Sequence, residues 1–287
     1  MTRPALGLDL DPGRTPSAPT PAATVLVLRP GARGVEVFCI ERHPKSPFMG
    51  GVVAFPGGKL DPADAAEAWA ELANEPPGAF PACELPASPR TIAVAACRET
   101  LEEAALLPVE GGRLAHDDAL SLRAELGPSA ALGDVLRRRG LRLDLSALCP
   151  FARWVTPEAE PRRYDTFFFL LRAPEGQEGA SDLGETTRGF WATPDEIIAR
   201  FEGGQLTLAP PTLRCLELLS GAASVDDAFA VAARQSLLPV CPHFVAGEPP
   251  LIVLPGDPAH PVAERRVEGP LRFVLRDGRF VSEEAPI

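Results

Sequence analysis

The chain contains no apolar run of 18 residues, which excludes a conventional membrane-spanning helix. It contains no CxxC pair. Its six cysteines (Cys39, Cys83, Cys97, Cys149, Cys215 and Cys241) are scattered, which argues against a zinc site or disulfide framework and for buried small apolar side chains. It has no basic block and a net charge of −11, which argues against polymeric nucleic acid as a partner. Its first residues, Met1-Thr2-Arg3-Pro4, turn acidic and Pro-rich by Asp11-Pro12 and lack the basic-then-apolar layout of a signal peptide. The expectation is a cytoplasmic protein with no membrane partner. Lysine is nearly missing: Lys45 and Lys59 are the only two, so almost all positive charge is arginine, whose planar fork suits phosphate. No internal repeat is visible.

What is present suffices for a substantial core: 287 residues, 45% hydrophobic, enough for one large domain or a domain with an appendage. Residues 1–21 read as a loose, Pro-rich leader. β-Branched runs at Thr24–Leu28 and Val35–Glu41 flank a Pro-Gly-Ala-Arg-Gly hairpin connection at 30–34. Gly51–Phe55 reads as a third strand, ending at a Pro-Gly-Gly turn, and Ala65–Ala73 as a short helix. Ser88-Pro89 is an N-cap and N1 pair for a long helix with the apolar stripe Val94, Cys97, Leu101, Ala104 and Ala105. Asp117–Arg139 is helical but broken near Gly127-Pro128. Strands are expected at Phe151–Thr156 and Asp165–Leu171, and helices from Pro194, from Pro210 and over Asp226–Gln235. The strand-like runs Leu251–Leu254 and Leu271–Leu275, with a turn at Asp277-Gly278, complete an appendage at 223–287 that packs on the main domain at 22–222.

Two stretches carry the chemistry: Phe55-Pro56-Gly57-Gly58, and Arg98-Glu99-Thr100-Leu101-Glu102-Glu103. Glu99, Glu102 and Glu103 stand at i, i+3 and i+4 and share a helical face. Like charges so placed repel by a few tenths of a kcal/mol per pair on an exposed helix. A cation turns that repulsion into a gain, and hard oxygen ligands suit Mg²⁺ or Mn²⁺.

These residues resemble the signature of the Nudix hydrolases: Gly, five residues, Glu, seven residues, then Arg-Glu-aliphatic-any-Glu-Glu-any-Gly-aliphatic. Asp64 stands where that motif has Glu, Thr100 at its aliphatic position and Ala105 at its glycine, so the helix is expected to run on to Leu107. Arg98 lies 34 positions after Asp64, where the uninterrupted motif has eight, so an insertion occupies about residues 65–90. A Nudix branch that includes the peroxisomal coenzyme A diphosphatases interrupts its box in this way. The flanks Arg42-His43, Phe48-Met49, Leu60-Asp61, Trp154-Val155-Thr156-Pro157, Arg162-Arg163-Tyr164-Asp165-Thr166-Phe167-Phe168 and Pro210-Pro211-Thr212 are similar to that branch.

The resemblance implies an α/β fold of α+β type, a Nudix-like α/β/α sandwich with a mixed sheet, and attack of water on a diphosphate with divalent metal ions bridging the phosphate oxygens. It implies Glu99, Glu102 and Glu103 as metal ligands, helped by the Gly57 or Gly58 carbonyl. Arg98 would hold the helix geometry by pairing with a carboxylate. Glu185, six residues before Trp191, is the candidate distal ligand or general base, with Asp182 as the alternative. Arg162 and Arg163, or Arg42 and Lys45, are candidate phosphate clamps. The expected partner is a small diphosphate-linked compound, with coenzyme A or acyl-CoA favoured by the branch alone, and a homodimer is left open. A nucleotide sensor that binds without cutting, or a scaffold recruiting a protein through residues 223–287, competes with the enzyme. The intact glutamates disfavour the sensor.

Overall fold

A computed structural model describes residues 8–45, 49–76, 78, 85–111, 113–127, 130–182, 184 and 186–285. Cys83, Phe48, Pro128, Glu185 and the start of the leader at 1–7 lie outside the described residues.

The core is a seven-stranded mixed sheet. Its path runs β3 (Val53–Ala54), β2 (Gly34–Arg42), β1 (Thr20–Gly31), β6 (Tyr164–Arg172) and β5 (Leu148–Val155). β4 (Gly57–Lys59) also pairs with β1, and β7 (Thr186–Ala192) with β2. β1 and β6 run parallel and the other pairs antiparallel. β1 is apolar in both phases because it is covered on both faces. Ala23, Val25 and Val27 enter one apolar cluster, and Leu26 and Leu28 the other. On the first face lie α1 (Trp69–Leu72), α2 (Pro89–Ala104), α3 (His116–Glu125) and α4 (Leu132–Arg139). On the second lie α5 (Pro194–Glu202), α6 (Pro210–Leu219) and α7 (Val225–Ala232). The α/β/α sandwich is therefore present.

β1 and β2 pair only near their hairpin, at Leu28–Gly31 against Gly34–Val37. Beyond that they part. β4 takes the freed edge of β1 at Ala22–Thr24, and β3 takes β2 at Ile40–Glu41. This splaying opens the sheet where the glycines lie. Gly57 and Gly58 are thus strand residues, and the bend is at Pro56. Their lack of a side chain matters for closeness. A Cβ on Gly57 would stand 2.5 Å from the Ala23 carbonyl oxygen, nearer than any real contact.

α2 begins as expected, with the Ser88 hydroxyl accepting from the Thr91 N–H and Pro89 at N1. Its end corrects the sequence reading. The helix does not run on to Leu107: Ala105 adopts the left-handed conformation at φ 52° and ψ 40°, the place of the missing glycine. The surrounding fold imposes that geometry on a residue that resists it. Thr100 is fully buried, and its hydroxyl donates to the Ala96 carbonyl at 2.7 Å.

The leader is also corrected. Residues 8–19 are pinned to residues 159–161: the Asp11 N–H donates to the Ala159 carbonyl, the Asp9 N–H to Glu160, and Ser17 to the Pro161 carbonyl. The expected third strand shrinks to β3, and β7 carries Phe190 and Trp191 as a strand that the sequence did not announce. After α7 the chain adds Val240 beside Trp154 on the outer edge of β5. It then forms a second, four-stranded antiparallel sheet from β8 (His243–Val245), β9 (Leu251–Val253), β10 (Arg272–Arg276) and β11 (Arg279–Glu283). The Asp277-Gly278 turn has positive φ at both residues, as that tight hairpin requires. Cys39, Cys97 and Cys215 are buried, free thiols pushed up by burial.

Candidate active site

The split motif closes in space. Asp64 is almost fully buried in a single turn after β4, and both its oxygens accept from Arg98, from Nε at 2.9 Å and from Nη2 at 3.0 Å. The contact joins the two halves of the motif across the intervening residues, of which Trp69 and Leu72 are buried in the core. Arg98 Nη2 also donates to the Lys59 carbonyl, tying α2 to β4. Arg98 Nη1 donates to Glu99 at 2.8 Å and to Glu102 at 3.0 Å. One guanidinium thus orients three carboxylates, the arrangement its planar fork favours.

Glu103 turns the other way. It is 7% exposed, and its Oε2 accepts from the Gly57 N–H at 2.8 Å. Glu99 lies against Gly58: a Cβ there would stand 2.5 Å from its carboxylate. Burial pushes the Glu99 carboxyl up to about 7, against the pull of Arg98. Burial also works against the charge on Arg98, but the Asp64 hydrogen bond and the charges of Glu99, Asp64 and Glu102 outweigh it and hold the arginine protonated.

Glu99, Glu102 and Glu103 line a cavity of about 970 Å³ at the splayed end of the sheet. Its lining also includes the apolar side chains Met49, Val52, Phe55, Phe168 and Ala209. Of the candidate phosphate clamps, Arg42 and Arg162 line this cavity. The buried Arg42 Nε has no hydrogen-bond partner among the described residues. Arg163 is corrected: it is 9% exposed and donates to the Thr156 and Ser17 carbonyls, so it fastens the loop after β5 to the N-terminal segment. Lys45 is exposed and does not line the cavity. Asp182 does line it, while Glu185 lies outside the described residues. The sequence reading missed Lys59, Arg123, Tyr164 and Thr212, all in the cavity wall. Lys59 had a signal in its place directly after the two glycines. Arg123, on α3 between the motif helix and β5, had none.

Across its fold this chain is similar to a solved Nudix hydrolase of Alicyclobacillus acidocaldarius, with 32% identity, 75% of this chain and 96% of that chain covered, and a TM-score of 0.64. The chain is a Nudix hydrolase. The family model for the NUDT19 Nudix domain matches residues 82–219. Among curated relatives, the acyl-coenzyme A diphosphatase NUDT19 of Gallus gallus is 29% identical over 79% of this chain and 73% of that protein. The Homo sapiens acyl-coenzyme A diphosphatase NUDT19 is 28% identical over 69% of this chain and 64% of that protein. A putative nudix hydrolase 7 of Caenorhabditis elegans is 26% identical over 96% of this chain and 85% of that protein.

The acidic groups suit a divalent ion by donor chemistry. Glu99 and Glu102 already converge on one positive centre, Arg98 Nη1, and carboxylate oxygens are the donors that Mg²⁺ and Mn²⁺ prefer. Among the described residues no three such groups are yet gathered closely enough to enclose an ion.

Proposed function

We propose that this Nudix hydrolase cleaves the diphosphate linkage of a nucleoside-diphosphate-linked compound, with Mg²⁺ or Mn²⁺ held by Glu99, Glu102 and Glu103. The observation that carries the reading is the Asp64–Arg98 contact. It brings the two parts of the interrupted motif together and orients Glu99 and Glu102, which line one cavity with Glu103 and the Gly57-Gly58 strand. Coenzyme A or an acyl-CoA is the favoured substrate. The basis is the similarity to the acyl-coenzyme A diphosphatases together with the apolar residues that share the cavity lining with the glutamates.

The divalent ion supplies charge neutralisation of the phosphate oxygens and acidification of the attacking water. The protein's own residues do the rest. Arg98 and Asp64 fix the rotamers of Glu99 and Glu102. Gly57 fixes Glu103. Arg42 and Arg162 stand in the wall to take phosphate oxygens bidentately. A water oxygen bonds to one phosphorus and the bridging P–O bond breaks, giving two phosphate monoesters. Asp182 or Glu185 is proposed to accept the water's proton. Turnover against coenzyme A, acyl-CoA, ADP-ribose, NADH and a nucleotide sugar, with and without chelator, tests the reading. Metal-dependent release of a nucleoside phosphate is the expected result. No hydrolysis of any compound would refute it.

A further inference from the structure

α3 lies in the segment between the motif helix and β5, outside the signature, yet it brings Arg123 into the cavity wall. Arg123 is half-buried, and its Nη1 donates to the Ala180 carbonyl at 2.5 Å. Ala180 is itself held: its N–H donates to the Ala104 carbonyl at 2.7 Å, and the Asp182 N–H donates to the Glu103 carbonyl at 3.3 Å. The guanidinium is therefore anchored to a strap that is stitched to the last turn of α2, beside the glutamates.

That anchor is a neutral carbonyl. Nε and Nη2 of Arg123 have no partner among the described residues, and the nearby Asp182 carboxylate accepts instead from the Gly184 N–H. Other arginines of the segment between α2 and β5 are compensated: Arg137 pairs with Asp134, and Arg138 and Arg139 with Glu125. Arg123 thus presents an uncompensated, pre-oriented fork to the cavity. A cation held in place before the ligand arrives loses little freedom on binding, which favours affinity for an anion.

We propose that Arg123 is a substrate-binding residue of this enzyme: its free fork takes a phosphate group of the diphosphate substrate while Ala180 holds it in register with the glutamates. The inference rests on the diphosphate hydrolase reading above. Two measurements test it, one of which does not need turnover. In steady-state kinetics on the best-cleaved compound, Arg123→Ala raises KM about tenfold or more and leaves kcat within about threefold, as expected for loss of a charged hydrogen bond made equally in ground and transition states. Arg123→Lys keeps the charge but loses the fork and falls between. In calorimetric titration with ADP in excess chelator, the same order of affinity appears: wild type, then Lys, then Ala. A lower kcat at unchanged KM, with ADP affinity unaltered, would reduce Arg123 to a brace for the Ala180 strap and overturn the proposal. Unchanged kinetics and binding in both variants would do the same. Should the Ala variant fail to fold, the Lys variant decides by itself. If the wild type hydrolyses nothing on the panel, the function fails on its own evidence, and ADP titration still judges Arg123.

Discussion

Two arginines staple distant parts of this chain, and they do so with different partners. Arg98 joins the two halves of the interrupted motif and is surrounded by Asp64, Glu99 and Glu102. Arg214, on α6, is fully buried on the other face of the sheet and joins the C-terminal region. It donates to the Glu268 and Pro270 carbonyls and to Ser282, and lies over the Phe273 ring. Glu217 stands 2.8 Å from its Nε, in a contact too misaligned to count as a hydrogen bond. Burial pulls the Arg214 guanidinium down, with the Glu217 charge opposing. The comparison separates two uses of one residue type. Arg214 satisfies backbone acceptors and thereby fastens the second sheet to α6. Arg98 gathers carboxylates whose mutual repulsion would otherwise scatter them, on the wall of a cavity.

The largest effect is expected at the carboxylates themselves. Glu102→Gln or Glu103→Gln should lower turnover by about 10²-fold or more while circular dichroism and the melting curve stay close to wild type. Activity retained in either variant, or in excess chelator, would remove the mechanism. Arg214→Met should do the reverse. Losing the buried guanidinium removes the donor to the Glu268 and Pro270 carbonyls and to Ser282, and the charge facing Glu217, at a cost on the order of 3 kcal/mol, read as an early denaturant midpoint. Turnover per folded molecule should change little. A variant of wild-type stability would show that the C-terminal sheet is fastened by its apolar contacts alone.

The two glycines sharpen the same division. Gly57→Ala meets backbone, the Ala23 carbonyl oxygen at 2.5 Å and the Thr24 Cα at 2.7 Å, so it should prevent soluble folding or lower the melting temperature sharply. The nearest atoms to Gly58→Ala are the carboxylate end of Glu99 and not backbone, so the protein should fold and lose activity as that carboxylate is displaced. Equal behaviour of the pair would contradict the geometry of β4. The smallest effect is expected at Ala105. Glycine there relieves a left-handed backbone cost of about 1–2 kcal/mol but gives up a buried methyl worth about 0.8 kcal/mol. Ala105→Gly should therefore shift stability by no more than about 1 kcal/mol, upward, in thermal melts.

Much of the site was legible because its chemistry is local. Glu99, Glu102 and Glu103 share a face by helical periodicity alone, and Ser88-Pro89 marks where that helix must begin. Gly57 and Gly58 were expected as a turn, and they stand instead in β4, with the bend one residue earlier at Pro56. Arg163 was misread because an arginine beside another arginine carries no mark of whether it faces solvent, a cavity or a backbone carbonyl. Phe190-Trp191 was not seen as part of a strand because β7 is half-exposed and lacks a clean alternation.

The shared face of Glu99, Glu102 and Glu103 and the start of α2 at Ser88-Pro89 follow from spacing within one element and need no tertiary information. Only the tertiary structure decided that Asp64 returns to Arg98 across the insertion, that Ala105 is bent into the left-handed region, and that Arg123 reaches the cavity. Those outcomes depend on how separate segments pack against one another, and spacing along the chain does not encode the distances between them.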